Sequence, residues 1–399
     1  MKKKLMSLLL VGAMTATMLT GCGSGSSDGA AADNSATADA GDTSGAGESS
    51  EDAGSASAAE GKIAMITDSG DITDESFNQI TWETCVAYGA ANGIETEYKK
   101  PADDTDEERI NAIDMAIKEG ATIVVMPGYL FGPAIAEEQS VYPDVKFVAV
   151  DVTEFDVVNL AGESVGIGDN VYICSFQEEQ AGYLAGYAAV KDGYTRLGFL
   201  GGMAVPAVIR YGYGYIQGID AAAEELGVDV DVKYFYGGQF YGDATITARM
   251  EGWYADGTEI VFACGGGIYT SAAEAAAKYD GKVIGVDVDQ RTAIDEAAKK
   301  EGVCVTSAMK GLSSAVNSAL DAYFTGNWTS IGGKSEQLGL TQGDYLGLPT
   351  DAASWGFTTF TTAEYEGVLN GIKDGSIAIS NDTENQPQVG SHTSVTYVE

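Results

Sequence analysis

The chain is expected to adopt an α/β fold of two Rossmann-like lobes with parallel sheets and a hinge between them. Two observations predict it. Short apolar runs alternate with longer stretches of helical period, the pattern of βαβ units around parallel sheets. The plan of residues 63–151 also returns over residues 197–287. Two matched lobes facing one another make a cleft, and a cleft is a place for a ligand.

Taken in order, Ile63-Ala64-Met65-Ile66 opens the first copy and Leu197-Gly198-Phe199-Leu200 the second. Each run is followed by a loop ending in an aromatic, Phe77 and Tyr211. From that aromatic a helix-like stretch runs sixteen positions to a glycine, Gly93 and Gly227. Ile94 to Tyr98 corresponds to Val228 to Val232, and Ile123 to Gly128 to Ile260 to Gly265. Phe147 to Asp151 corresponds to Val283 to Asp287, lying 23 and 22 positions after the paired glycines. The first helix is expected to start near Asp74, with Asp74 or Ser76 as its cap and acidic residues in its first turn. Gly93 and Gly227 suit helix ends because glycine accepts the left-handed conformation required there. Further helices are expected over 106–118, stopped by Gly120, and over 271–279, stopped by Gly281. A helix over 293–300, a strand over 303–308, a helix over 312–324 and hairpin-like pieces near 338–348 complete the body.

The first 22 residues read as an export signal: Lys2, Lys3 and Lys4, then an apolar stretch from Leu5 to Leu19, then Leu19-Thr20-Gly21-Cys22. That stretch is shorter than the roughly 20 residues a membrane span needs. Its end resembles a bacterial lipobox, in which Cys22 becomes the lipid-modified first residue; a plain secretory signal is the competing account. Residues 23–60 are almost all Gly, Ser, Ala, Thr, Asp and Glu. They bury too little apolar surface to order themselves and form a tether with a reach of roughly 35 Å. The expected organisation is a signal over 1–21, a tether over 22–60, a first lobe of 61–174 with 308–330, and a second lobe of 175–307 with 331–399.

The net charge is −37. Eight acidic residues lie in the tether and three lysines in the signal, so the body holds 51 acidic against 19 basic residues. A field of that sign repels nucleic-acid backbones and anionic lipid, which excludes a duplex-binding role and leaves the lipid as the membrane link. Cys85, Cys174, Cys264 and Cys304 are far apart with no Cys-x-x-Cys, against a zinc or redox site; one disulfide remains open. The acidic loop Asp68, Asp71, Asp74 does not have EF-hand spacing, and capping accounts for it, so neither metal nor cofactor is expected. The single histidine, His392, is near the C-terminus, and no nucleophile elbow, P-loop or His-Glu-x-x-His occurs. The loop Gly212 to Gly218 is one residue off the dinucleotide fingerprint and lacks its partner acid. A binding protein, not an enzyme, is expected.

In open α/β sheets ligands bind beyond the carboxyl ends of the strands. Those positions are Asp68 in 67–70, Pro127 to Tyr129, and Asp151 in the first copy. In the second they are Gly201-Gly202, Gly266 in 265–267, and Asp287 to Asp289. Phe77 and Tyr211 can offer ring faces to a planar ligand, and otherwise staple their helices to the sheets. Asn78 carries both donor and acceptor, as the edge of a base requires, and otherwise faces solvent. Asp151 and Asp287 end apolar strands, where a carboxylate needs a partner; Asp287 can accept from a diol. Lys310 either contacts the ligand or neutralises one of these aspartates.

On those residues the sequence resembles the basic membrane protein family of solute-binding lipoproteins, which includes a purine nucleoside receptor. The resemblance rests on Asp74-Glu75-Ser76-Phe77-Asn78-Gln79, on Gly201-Gly202 with Pro206, and on Gly214 to Gly218. It rests also on Ile284 to Gln290 and on Ser307 to Lys310. Glu75 departs from the family's usual lysine and Tyr211 from its usual phenylalanine. The resemblance implies a type I periplasmic-binding-protein fold serving an ABC importer, with a base between aromatics and a ribose on acidic and lysine side chains. Carried onto this chain, it implies Phe77, Asn78, Asp151, Tyr211, Asp287 and Lys310 as ligand contacts. The expected protein is lipid-anchored on the outer face of the cell membrane and passes a nucleoside, purine favoured, to permease subunits. A receptor for a sugar or other small solute, a surface sensor and a surface hydrolase are the alternatives.

Overall fold

The computed structural model describes residues 61–398, so the expected signal, the tether and Cys22 lie outside the described residues. The first lobe is built from β1 (Lys62–Ile66), α1 (Phe77–Asn92), β2 (Glu95–Lys99), α2 (Asp106–Lys118), β3 (Ile123–Pro127), α3 (Gly132–Val141), β4 (Lys146–Val150) and β5 (Val171–Phe176). The second lobe follows with α4 (Glu178–Lys191), β6 (Arg196–Gly201), α5 (Pro206–Leu226), β7 (Val230–Tyr236), α6 (Ala244–Ala255), β8 (Ile260–Cys264), α7 (Tyr269–Tyr279), β9 (Lys282–Asp287), α8 (Arg291–Ala298) and β10 (Cys304–Lys310). The chain then returns to the first lobe for α9 (Leu312–Phe324) and β11 (Lys334–Leu338). It ends in the second with β12 (Leu346–Gly347), α10 (Thr362–Lys373) and β13 (Thr393–Tyr397).

The first sheet runs β11-β5-β4-β3-β1-β2 and the second β12-β10-β9-β8-β6-β7-β13. All pairings are parallel except β12 against β10. β1, β3, β4 and β8 read as unbroken apolar runs because helices cover both faces of each sheet. The helix ends follow the glycines: Gly93 and Gly227 cap α1 and α5 at φ 70° and 64°. At α7 the left-handed residue is Asp280 at φ 57°, one position before the expected Gly281.

Several expectations need correction, the first at α1, which starts at Phe77 and has no acidic residue in its first turn. Residues 331–399 do not lie wholly in the second lobe as expected, because β11 pairs with β5 in the first sheet. Its polar run Lys-Ser-Glu-Gln suits an exposed sheet edge and carries little apolar signal. For the same reason the pieces near 338–348 are not a hairpin, since β11 and β12 lie in different sheets. All four described cysteines are free and buried, so no disulfide forms among them.

The chain crosses between lobes three times, and the crossings are tied together. Gln177 N–H donates to the Leu338 carbonyl at 2.9 Å and Gly311 N–H to the Tyr345 carbonyl at 2.6 Å. In the second lobe α4 and α5 touch backbone to backbone. A Cβ at Gly182 or Gly186 would lie 2.1 or 2.2 Å from the carbonyl oxygens of Tyr211 or Tyr215. A Cβ at Gly214 or Gly218 would meet those of Glu179 or Tyr183 at 2.1 Å. This helix contact, not a dinucleotide, explains Gly214 and Gly218, while a Cβ at Gly212 would meet the Tyr234 hydroxyl and the Phe199 ring. The contact brings the first two turns of α5 to the cleft, with Glu178 at the start of α4 bound to Arg210.

Candidate functional site

A cavity of about 480 Å³ lies between the lobes, a size typical of small-solute sites. Asp68, Phe77, Asn78, Asp151, Tyr211, Gly266, Asp287 and Lys310 all line it. The sequence repeat is kept down to backbone conformation: Asp151 and Asp287, each at the end of a strand, both hold positive φ, 61° and 65°. Such a conformation costs a non-glycine residue of order 1–3 kcal/mol and persists where the surroundings impose it.

Between the two aspartates stands the Lys310 ammonium, fully enclosed at the end of β10. Its Nζ lies 2.6 Å from Asp151 Oδ2, 3.3 Å from Glu178 Oε1 and 3.8 Å from Asp287 Oδ1. It is also 4.9 Å from the ring centre of Phe77, 5.4 Å from Phe176 and 5.6 Å from Tyr211. Glu178 in turn binds Arg210 Nε at 2.5 Å. Burial opposes the Lys310 charge, but Asp151, Glu178 and Asp287 outweigh it and raise the pKa. Burial pushes the Asp151 carboxyl up, with the ammonium pulling against it. Burial also raises Asp287. Burial opposes ionisation of Glu178 too, yet Arg210 and Lys310 hold its pKa below the usual value. The buried Oδ1 of Asp151 has no hydrogen-bond partner, and a buried acceptor left so is costly unless a donor meets it.

At the first-lobe wall, Asp74 caps α1 by accepting from the N–H groups of Ser76, Asn78 and Gln79 at 2.9, 3.0 and 3.1 Å. This releases the Ser76 hydroxyl, which crosses the cleft to Asp287 Oδ2 at 2.7 Å. Asn78 is engaged within its own lobe: Nδ2 donates to Asp68 Oδ1 and Asp74 Oδ2, both at 3.0 Å, and Oδ1 accepts from Asp68 N–H at 3.3 Å. It therefore positions Asp68 instead of offering its own free edge. Burial pushes the Asp68 carboxyl up to about 6.

Tyr211 also differs from expectation. Its hydroxyl donates to the Ala308 carbonyl at 3.3 Å, the edge of Phe262 packs on it at 5.9 Å and 86°, and it is 2% exposed. The half-buried aromatic that the second lobe brings to the cavity is Phe240. Its ring lies against Gly202 and Gly265, where a Cβ would come within 2.4 and 2.9 Å of Cδ1. Phe240, Glu178 and Arg210 escaped the sequence reading. The available signals were an aromatic in the glycine-rich loop after β7 and an acidic pair directly after the β5 strand end. Among the described residues no group of His, Cys, Asp and Glu is placed to hold a metal ion.

Comparison with known proteins agrees with this arrangement. Residues 62–365 match the family model Bmp, described as ABC transporter substrate-binding protein PnrA-like. The ABC transporter nucleoside-binding protein BmpA of Lactococcus lactis subsp. cremoris is 29% identical over 59% of this chain and 68% of its own length. Basic membrane protein B of Borreliella burgdorferi is 27% identical over 74% and 82%. A solute-binding protein of an Aeropyrum pernix K1 ABC transporter system superposes with TM-score 0.66 at 19% identity, covering 80% of this chain and 93% of that one. Another, from Conexibacter woesei, gives TM-score 0.63 at 22% identity over 80% and 98%. These structures share the type I periplasmic-binding-protein fold. The two-lobed architecture and a family match spanning most of the described chain lead to one assignment: the chain belongs to the Bmp family of PnrA-like ABC transporter substrate-binding proteins.

Proposed function

We propose that the protein captures a nucleoside, purine favoured, in the interlobe cavity and delivers it to an ABC permease from the outer face of the membrane, held there by a lipid on Cys22. The observation that carries this reading is the pairing, in one cavity, of aromatic walls with strand-end carboxylates and a lysine. Phe77 from the first lobe and Phe240 from the second bracket a planar base. Base–aromatic stacking is worth roughly 1–3 kcal/mol per base in nucleic-acid complexes. Asp68, aimed by Asn78, takes a donor on the base edge. The unpartnered Oδ1 of Asp151 and the carboxylate of Asp287 accept ribose hydroxyls, while Lys310 donates. Tyr211 and Gly266 shape the second-lobe wall. The name of the Lactococcus relative agrees with the solute class.

Titration calorimetry on ligand-stripped protein with purine and pyrimidine nucleosides tests this, and saturable heat is expected. Absence of heat with every nucleoside refutes the solute assignment. A sugar receptor is the second reading, favoured by the polar end of the cavity formed by Asp151, Asp287 and Lys310. Heat with ribose and none with nucleosides would select it.

A further inference from the structure

The family match ends at residue 365, yet the chain beyond it reaches the cleft. After α10 it turns back along α5. Gln217 Nε2 donates to the Ser380 carbonyl at 2.9 Å and its Oε1 accepts from the Ser380 N–H at 2.8 Å. Asp220 accepts from Gly390 N–H at 2.9 Å and Glu224 from His392 N–H at 3.2 Å. These three anchors are spaced three and four positions apart, so they share one face of α5. β13 then locks alongside β7. Between the anchors Asp382 closes a turn, accepting from the N–H groups of Glu384 and Asn385 at 2.8 and 3.1 Å and from Asn385 Nδ2 at 2.8 Å. The turn sets Thr383 and Glu384 in the cavity lining, with Glu384 exposed. The first lobe supplies another presented turn: Asp156 Oδ2 accepts from the Thr153 N–H and hydroxyl at 2.8 and 2.7 Å. At its tip Phe155, also in the lining, is 91% exposed.

Charge gives this arrangement a consequence. The cations of the lining are Lys310 and Arg210, and both are committed to carboxylates. Among the described residues Glu384 makes no ion pair. A solute with a terminal phosphate therefore meets no uncommitted cation in the cavity wall and a carboxylate at its lip. We infer that the turn 382–385 is a specificity-determining lip, in which Glu384 admits solutes whose outward end is a neutral hydrogen-bond donor and turns away those ending in phosphate. The inference rests on the solute-binding reading above and deepens it to a charge class.

The test is to titrate the wild type, Glu384→Gln and Glu384→Lys with two pairs of probes, adenosine with adenosine 5′-monophosphate and ribose with ribose 5-phosphate. The wild type is expected to prefer the neutral member. Glu384→Lys is expected to narrow that preference about tenfold, roughly 1.4 kcal/mol, with Glu384→Gln in between. An unchanged ratio in both variants overturns the lip. Binding of the ribose pair alone overturns the nucleoside reading, while the ratio within that pair still decides the lip. If the wild type binds neither pair, both readings fall.

Discussion

Lys310 neutralises the carboxylates that the proposed function assigns to the solute. With Asp151, Glu178 and Asp287 around it and Arg210 beyond, two positive charges face three negative ones. Removing one partner of a buried charge set leaves the rest uncompensated, at a cost of about 3–5 kcal/mol. Lys310→Met is accordingly expected to destabilise the fold by about that amount in urea titration. Phe77→Ala should behave differently. Phe77 is half-buried, so the variant is expected to keep most of its stability and lose about 1–3 kcal/mol of the proposed nucleoside binding by calorimetry. Unchanged affinity would remove Phe77 from the stacking wall. The strand-end aspartates were legible in the sequence because an apolar run that stops at a carboxylate is costly without a partner. Glu178 was not, because an acid in the first turn of a helix is already explained by the helix dipole. Phe240 was hidden because its seat is made by glycines far away in sequence.

Among the elements, α4 and α5 decide how the second lobe's site is held. Each contributes two glycines four positions apart to a contact too close for any Cβ. Glu178 opens α4, and Arg210 and Tyr211 lie in the second turn of α5. Gly182→Ala would push the helices apart, and overpacking of this kind costs typically 1–3 kcal/mol. A lower melting temperature together with weaker solute binding is expected, since the Glu178–Arg210 pair rides on the same contact. A loss confined to stability would show that the two helices do not transmit to the site. The sequence showed the glycines of α5 and their spacing, but not their partners, because a helix face acquires meaning only against the helix it meets. β11 illustrates the complementary limit: an edge strand with a polar run follows no apolar period, so only its pairing with β5 reveals its lobe.

For the molecule as a whole, two of the bonds across the cleft use residues that also line the cavity, Asp287 in one and both Asp151 and Lys310 in the other. Ser76 reaches Asp287, Asp151 reaches Lys310, and Gln290 Nε2 donates to the Glu75 carbonyl at 3.0 Å. A solute that engages Asp151 and Asp287 competes with and replaces part of this closure, so it shifts the balance of open and closed lobes only by what it adds to the closed one. Stability should also depend on pH in a definite direction. Burial pushes the carboxyls of Asp68 up to about 6 and of Glu138 and Glu179 up to about 7. Between the ordinary carboxylate pKa and these values the folded protein binds more protons than the unfolded chain, so stability falls as pH rises through about 4 to 7. Repulsion within a chain of net charge −37 acts in the same direction. Below that window Glu178, whose pKa is held low, begins to lose its pairing with Arg210. Melting temperature is expected to peak near about pH 4 and decline toward about pH 8; a flat or rising profile over that interval would contradict it.

The sequence by itself determined that there are two lobes and where most strands end. It also carried the aspartates, the lysine and Phe77, because apolar period, helix stops and strand-end carboxylates are local signals. The tertiary structure alone decided which of those groups meet. It committed Asn78 to Asp68, drew Tyr211 into the core, set Phe240 on its glycine floor, and brought the C-terminal turn to the cleft. Each of those outcomes depends on contacts between residues distant along the chain, where close packing and mutual neutralisation of buried charge choose the partner.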